Sequence, residues 1–147
     1  MSRRKSREVA MQALFQLDMN PADSEDVNAV NSALDAAWKT HEKENEVNVK
    51  ETDETKDYEY AKLLLKGTLA HIEEIDKAIS SVSKDWKLNR MAGIDRAIIR
   101  LAFFEIQNVE GVTAGIARNE AVELAKKFGA DKSKRFVNGV LASLVNK

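Results

Sequence analysis

The sequence has no cysteine, one proline, two histidines and six glycines in 147 residues. Without cysteine it can form neither a thiolate zinc site nor a cysteine nucleophile, and His41 and His71 lie thirty residues apart. A chain of this length buries roughly 70% of the surface that its unfolded form exposes, so its core needs no disulfide or metal. Residues 1–147 are therefore expected to form a single domain with no metal and no other cofactor.

Long apolar runs are also missing. No segment approaches the roughly 18 apolar residues of a membrane span. The N-terminus reads MSRRKSREVAMQ, which is basic but lacks the uninterrupted apolar stretch of a signal peptide. These absences predict a cytoplasmic protein that has no membrane partner.

The motifs of common catalytic sites are absent as well. Gly111 and Gly115 follow no predicted strand and precede no Gly-Lys-Ser/Thr, so they belong to neither a dinucleotide fingerprint nor a P-loop. Carboxylates such as Glu120 and Glu123 occupy positions where helices normally carry solubilising charges. His71 lies near an apolar stripe, where a histidine is more often a boundary residue than a base. The sequence therefore favours a protein that is not an enzyme.

The formal net charge of −1 conceals an uneven distribution. Residues 1–7 carry four basic side chains and no acidic one, whereas residues 23–60 carry twelve acidic against four basic side chains. Segments 77–96 and 97–147 each have a net charge of +3. Clustered Lys and Arg neutralise phosphates, so the basic ends favour a nucleic-acid partner, although such charges are also typical of a solvated helix face.

Apolar residues recur at intervals of three and four, which predicts an all-α fold with no strand. A densely charged segment of little periodicity, about 40–56, is expected to be a flexible acidic linker. The segment 91–107 is apolar almost all round and is expected to be the central buried helix. The other helices are expected over roughly 3–19, from Ser24 to near Thr40, from Asp57 to Ile79 unless this stripe kinks, from Thr113 to Phe128, and from 131–133 to Leu144.

Several residues are expected to begin or end these helices. Ser2 and Thr113 can cap helix starts through their hydroxyls, and either Asp131 or Ser133 can cap the last helix. Gly129 is expected to close the preceding helix in the left-handed conformation that glycine favours. Trp86, in a connector, is expected to pack on the core.

The first basic constellation lies in SRRKSREVAMQALFQLD. In a helix that begins near Arg3, Arg3 and Arg7 lie one turn apart with Arg4 beside them, while Ala10 and Leu14 face the core. We expect Arg7 to project away from that apolar face. The start of this helix is therefore a candidate phosphate-binding end.

The second basic constellation, AKKFGADKSKRFVNGVL, surrounds a predicted helix–loop–helix turn in which only Asp131 opposes the positive charges. Phe136 follows directly, and a basic cluster beside an aromatic ring is typical of single-stranded RNA binding. Alternatively, Phe136 is a core residue, and composition does not separate the two. The basic residues are Lys126, Lys127, Lys132, Lys134 and Arg135.

These two segments, together with IDRAIIRLAFFEI and NEAVELAKKFG, resemble the NusB family of bacterial transcription antitermination factors. The order and spacing match across almost the whole chain, with residues 40–57 the least alike. The resemblance implies a bundle of about six to seven helices in two small subdomains and no catalytic activity. It also implies a heterodimer with a small-subunit ribosomal protein, called NusE in this role, that binds single-stranded boxA RNA and joins a complex on RNA polymerase. The free protein can be a monomer or a homodimer.

The resemblance also implies roles for individual residues. Phe15, where the family usually has tyrosine, and Asp95 are placed at the ribosomal partner. Lys132 replaces a common acid, which should strengthen attraction to phosphate. The RNA-facing residues are Arg3, Arg4, Lys5, Arg7, Lys132, Arg135 and Phe136.

The chain departs from the family in the 109–118 connector. Val112–Ile116 replaces a common Val-Pro-Tyr-Lys-Val, and Arg118 occupies a normally apolar position, so the path of the connector stays open. Two other functions also remain open. One is an accessory RNA-binding module of a ribosomal RNA methyltransferase system, with the catalytic domain expected on another polypeptide, and the other is a helical adaptor that binds only proteins.

Overall fold

The computed structural model describes residues 3–44, 54–83 and 87–145. These ranges contain no strand, and the all-α prediction is confirmed. Short 3₁₀ helices span Pro21–Glu25 and Leu88–Arg90. The seven α-helices are α1 (Arg4–Asp18), α2 (Val27–Glu44), α3 (Glu54–Ala70), α4 (Ile72–Val82), α5 (Gly93–Asn108), α6 (Ala114–Phe128) and α7 (Ser133–Val145).

The chain divides into two compact units, Met1–Leu69 and Ala70–Lys147, in agreement with the two expected subdomains. In the first unit, α1 packs against α2, and the apolar stripe of α1 supplies Val9, Ala10 and Leu14, each at most 2% exposed, to the core. Apolar side chains at this spacing fall on one face of a helix, so their burial holds the unit together.

Helix α2 begins three residues later than the sequence suggested. The hydroxyl of Ser24 donates to the Pro21 carbonyl at 2.7 Å, and Ser24 lies inside the 3₁₀ turn. The capping group is instead Asp26, whose Oδ1 accepts from the Asn28 N–H at 2.9 Å. Both side chains suit an N-cap, and the turn that starts at Pro21 decides between them.

In the second unit, α5 is the central helix, as predicted. It packs against α4, α6 and α7, and Ala97, Ile98 and Ile99 are at most 1% exposed. The Arg100 guanidinium donates two hydrogen bonds of 2.8 Å to the carboxylate of Asp76 on α4. This bidentate pair compensates the burial of a charge within an otherwise apolar face.

The stripe from Asp57 to Ile79 kinks, as the sequence allowed. The break is at His71, whose backbone (φ −109°, ψ 16°) separates α3 from α4. The imidazole of His71 stacks on the ring of Phe104 with centroids 5.8 Å apart. His71 is thus a boundary residue between two helices.

The turn between α6 and α7 differs from its prediction. Gly129 has an extended backbone (φ −93°, ψ 178°), so the expectation of a left-handed conformation is wrong. A Cβ on Gly129 would lie 2.6 Å from the Cβ and Oγ of Ser133, and close approach is what requires glycine here. Ser133 is the first residue of α7, and its Oγ accepts from the Ala130 N–H at 3.0 Å. The prediction that Thr113 caps α6 is correct, because its Oγ1 accepts from the Ile116 N–H at 3.1 Å.

Residues 40–44 and 54–56, at the two ends of the expected linker, belong to α2 and α3. The remainder of this segment, the cap expected at Ser2 and the core position expected for Trp86 lie outside the described residues.

Candidate nucleic-acid interface

We define the N-terminal basic cluster as Arg3, Arg4, Lys5 and Arg7. Two of its cations lie on aromatic rings of the same unit. The Arg3 guanidinium carbon is 4.0 Å from the centroid of Tyr60, and Lys5 Nζ is 3.9 Å from that of Trp38. The quadrupole of an aromatic ring attracts a cation placed over its face, so these rings restrict where the two charges can lie.

The ring of Trp38 is itself held by a neighbour. Tyr58 meets it edge to face with centroids 5.3 Å apart, and the Tyr58 hydroxyl donates a 2.6 Å hydrogen bond to Asp35 Oδ1. That hydrogen bond, with smaller contributions from burial and the nearby negative charges, raises the pKa of Tyr58 to about 12. The phenol, which is neutral at ordinary pH in any case, therefore keeps its proton and its hydrogen bond to Asp35 at still higher pH.

Arg7 does not project into solvent as expected, since it is only 6% exposed. Helix α1 packs against α2, and the Ser6 hydroxyl donates to the Asp57 carbonyl of α3 at 2.8 Å. Helix α1 thus contacts both α2 and α3 near its start. Arg7 precedes Ala10 by three residues and Leu14 by seven, so it lies on the apolar face of α1, and this helical spacing already indicates its burial. The buried residues of α1 are Ser6, Arg7, Val9, Ala10, Met11, Ala13, Leu14 and Leu17.

We define the C-terminal basic cluster as the five cations around the α6–α7 turn, all of which are exposed. Lys126 pairs with Glu123 at 3.3 Å, and Lys127 Nζ lies 5.4 Å from the centroid of Phe128. Phe136 is half-buried, which places it between the two alternatives that the sequence left open. The members are Lys126, Lys127, Lys132, Lys134 and Arg135.

The two residues expected at a protein partner differ in exposure. Phe15 on α1 is half-buried. Asp95 lies in the first turn of α5 and is 7% exposed, and its Oδ1 has no hydrogen-bond partner in the described part of the chain. The partial positive charge at a helix N-terminus favours a carboxylate there, but the missing hydrogen bond leaves its burial incompletely compensated.

Two features of the site were not foreseen from the sequence. The first is the aromatic set of Trp38, Tyr58 and Tyr60 beneath the N-terminal basic cluster. The sequence shows that these aromatic residues are present but not that they lie near the cations, because the contacts join residues far apart in the chain. The second is Arg118, at the position that departs from the family, whose Nη2 donates to Asn138 Oδ1 at 3.1 Å and links α6 to α7.

The described ranges bring together no three histidine, cysteine, aspartate or glutamate side chains that could hold a metal ion. Within the same ranges, no helix is both long and apolar enough to cross a membrane. The two clusters offer positive charge that can bind phosphates, and the half-buried ring of Phe136 beside the second cluster can contact a base.

The fold and the two clusters define a small all-helical protein with basic surfaces of the kind that bind nucleic acid. The NusB family model matches residues 4–146, and the chain belongs to the NusB family. The resemblance seen in the sequence is thereby confirmed.

Relatives and solved structures match nearly the full chain. Transcription antitermination protein NusB of Pelotomaculum thermopropionicum is 42% identical over 99% of this chain and 90% of its own length. That of Bacillus subtilis is 41% identical over 98% and 95%. The structure of T. maritima NusB superposes with a TM-score of 0.81 at 28% identity, covering 100% of this chain and 92% of that one. A crystal structure of NusB and NusE in complex with dsRNA gives a TM-score of 0.72 at 27% identity, covering 98% and 96%.

Proposed function

We propose that this protein is a transcription antitermination factor. It binds boxA-type single-stranded RNA together with a NusE-type ribosomal protein and joins the antitermination complex on RNA polymerase in the cytoplasm, with no catalytic step of its own. Relatives matched over nearly the full chain carry that activity in their name, and a similar NusB has been solved in complex with NusE and dsRNA. The observation in this chain that carries the proposal is the exposed C-terminal basic cluster.

We assign the RNA contacts to residues of both clusters. Lys132 and Arg135 are exposed and can neutralise phosphates, while half-buried Phe136 can offer a ring edge or face to an unstacked base. Arg3 and Lys5 add charge from positions fixed by their rings, and Arg4 is exposed beside them.

Arg7 has a different role from the other three residues of the N-terminal basic cluster. Because it is 6% exposed, it supports the start of α1 from within the unit and presents little surface to RNA. The basic N-terminus therefore acts through Arg3, Arg4 and Lys5.

We propose that Asp95 and Phe15 contact the ribosomal partner. Asp95 is buried in the first turn of α5 with one oxygen unpaired among the described residues, and its negative charge would attract a basic group of the partner at the adjoining surface. The half-buried ring of Phe15 can add apolar contact but no hydroxyl hydrogen bond.

An RNA titration with and without the partner tests the proposal. The NusE-type ribosomal protein should extend the basic surface and tighten binding of a boxA-type oligonucleotide by more than about tenfold, a coupling of ~1.4 kcal/mol. Equal affinity with and without the partner would contradict the proposal and favour an accessory RNA-binding module. Binding of the partner with no RNA binding would instead favour a protein-only adaptor. Sedimentation of the free protein separates monomer from homodimer.

A further inference from the structure

Helix α7 contains a glycine that no contact within the described fold requires. Gly139 lies in the interior of α7 and is exposed, and among the described residues nothing comes within 4 Å of a Cβ built on it. Glycine is less favourable than alanine inside a helix, because it loses more backbone freedom on folding. An alanine would therefore fit at this position and make the helix more stable.

At two other positions the fold itself requires glycine, for reasons that the structure shows. Gly111 adopts a positive φ of 88° in the turn between α5 and α6, a conformation that side chains rarely accept. Gly129 has no room for a Cβ, which would lie 2.6 Å from Ser133 Cβ. Neither reason applies to Gly139, which stands in open space within a regular helix.

Gly139 shares a helix face with two exposed cations. Lys132 precedes the first residue of α7, and its carbonyl accepts from the Phe136 N–H at 3.1 Å, so it already follows the helical path. Positions 132, 135 and 139 are then spaced i, i+3 and i+7, which places them along one side of the helix. Lys132 and Arg135 are exposed on this side, and the bare backbone at Gly139 continues it.

We propose that Gly139 is a close-approach site for RNA: the strand whose phosphates are held by Lys132 and Arg135 runs on across α7 and lies against the backbone where no side chain intervenes. Glycine permits a ligand to come nearer to a helix backbone than any other residue does. The two cations on the same face identify the occupant as a polyanion. This inference rests on the proposed function and adds a residue that carries no charge and no side chain to the RNA-binding surface.

The test separates helix stability from RNA affinity with two substitutions of increasing size. Gly139→Ala should raise the Tm by about 2–4 °C, because it restores helix propensity without a clash. In fluorescence anisotropy with a labelled boxA-type oligonucleotide, it should nevertheless raise the Kd about threefold, and Gly139→Leu should raise it about tenfold, because each larger side chain holds the strand farther from the helix and from Lys132 and Arg135.

Gly115→Ala is the matched control. Gly115 is an exposed glycine in the first turn of α6, and a Cβ there would meet only Thr113 Oγ1 within 4 Å among the described residues, at an ordinary distance of 3.8 Å. This variant should leave the Kd for RNA unchanged. Lys132→Asp is measured in parallel, because it reports on the proposed function independently of Gly139.

Each remaining outcome overturns the inference. An unchanged Kd for both Gly139 variants beside a weakened Lys132→Asp would overturn the role of Gly139 and leave the proposed function standing. A lower Tm for Gly139→Ala would show a requirement within the fold. Lost binding of the NusE-type protein with unchanged RNA binding would assign this face to the protein partner. No RNA binding by the unsubstituted protein, alone or with its partner, would overturn both the inference and the proposed function.

Discussion

The N-terminal and C-terminal basic clusters carry similar charges in different surroundings. Arg3 and Lys5 lie about 4 Å from ring centroids, and Arg7 is 6% exposed. In the C-terminal cluster, Lys132 and Arg135 are exposed beside a tight turn. Side chains already held in place lose less conformational freedom when a ligand binds, whereas exposed side chains must be ordered by that ligand.

Because of this difference in surroundings, substitutions in the two clusters should affect protein stability and RNA binding to different extents. A substitution in the N-terminal cluster changes contacts that hold α1, α2 and α3 of the first unit, so it affects folding as well as RNA affinity. A substitution in the C-terminal cluster should act almost entirely on binding and on its dependence on salt. Four substitutions test this contrast.

The largest effect is expected for Arg7→Glu. It replaces a buried cation by a carboxylate without suitable partners and should lower the free energy of unfolding by about 3 kcal/mol or more. Urea unfolding followed by circular dichroism measures this. The control Arg4→Glu makes the same change at an exposed neighbour and should cost about 1 kcal/mol or less. Equal losses for the two variants would contradict the buried position of Arg7.

Lys132→Asp should weaken RNA binding with little effect on folding. Removing one phosphate contact on a single strand should reduce the slope of log affinity against log salt by about 0.7 or more. Stability should change by no more than ~0.5 kcal/mol, and sequence preference should persist because phosphate contacts do not read bases. A salt series of RNA titrations measures the slope. If Lys77→Asp, at an exposed lysine of α4, lowers the slope equally, the effect is one of net charge and not of this turn.

Trp38→Leu should weaken RNA binding through Lys5. Without the ring that holds the ammonium, Lys5 must be ordered by the RNA itself, which should lower affinity about two- to fivefold. Trp38→Phe keeps a ring and should retain most of the affinity. In the Trp38→Leu background, Lys5→Gln should have a smaller effect than in the unsubstituted protein. Fully additive effects would mean that the ring and the ammonium act independently.

The smallest effect is expected for Tyr58→Phe, which removes the hydrogen bond to Asp35 and should cost about 0.5–1 kcal/mol at neutral pH. Because folding raises the pKa of Tyr58 to about 12, its contribution is fully present below the unfolded value near 10 and is lost as the pH rises through 12. Urea unfolding from pH 7 to 12 should therefore show a difference between the two proteins that narrows above pH 10. A constant difference across this range would exclude the hydrogen bond as its source.

Local patterns in the sequence predicted the helices well. The spacing of apolar residues identified α1 and the central α5, and the Thr113 cap followed from one side chain and its nearest backbone. The expectation that Arg7 projects outward overlooked its spacing of three from Ala10 and seven from Leu14, which places it on the apolar face of α1. The hydrogen bond from Ser6 to Asp57, 51 residues away, could not be predicted, because it depends on tertiary packing. The same holds for the rings beneath Arg3 and Lys5. Gly129 was correctly placed at the end of α6, but for the wrong reason, because glycine is required there by the close approach of Ser133 and not by a left-handed backbone.

The contact of Lys5 with Trp38 means that tryptophan fluorescence can report on the N-terminal end of α1. Indole emission responds to a charge held over the ring, and the ammonium lies 3.9 Å from the centroid. The sequence contains one other tryptophan, Trp86, so Trp86→Phe yields a protein with a single emitting indole. An RNA phosphate that pairs with Lys5 above Trp38 partly neutralises the charge over the ring and would then change both the intensity and the wavelength of that emission. Arrival of the strand at this cluster could be timed by stopped flow without any attached dye.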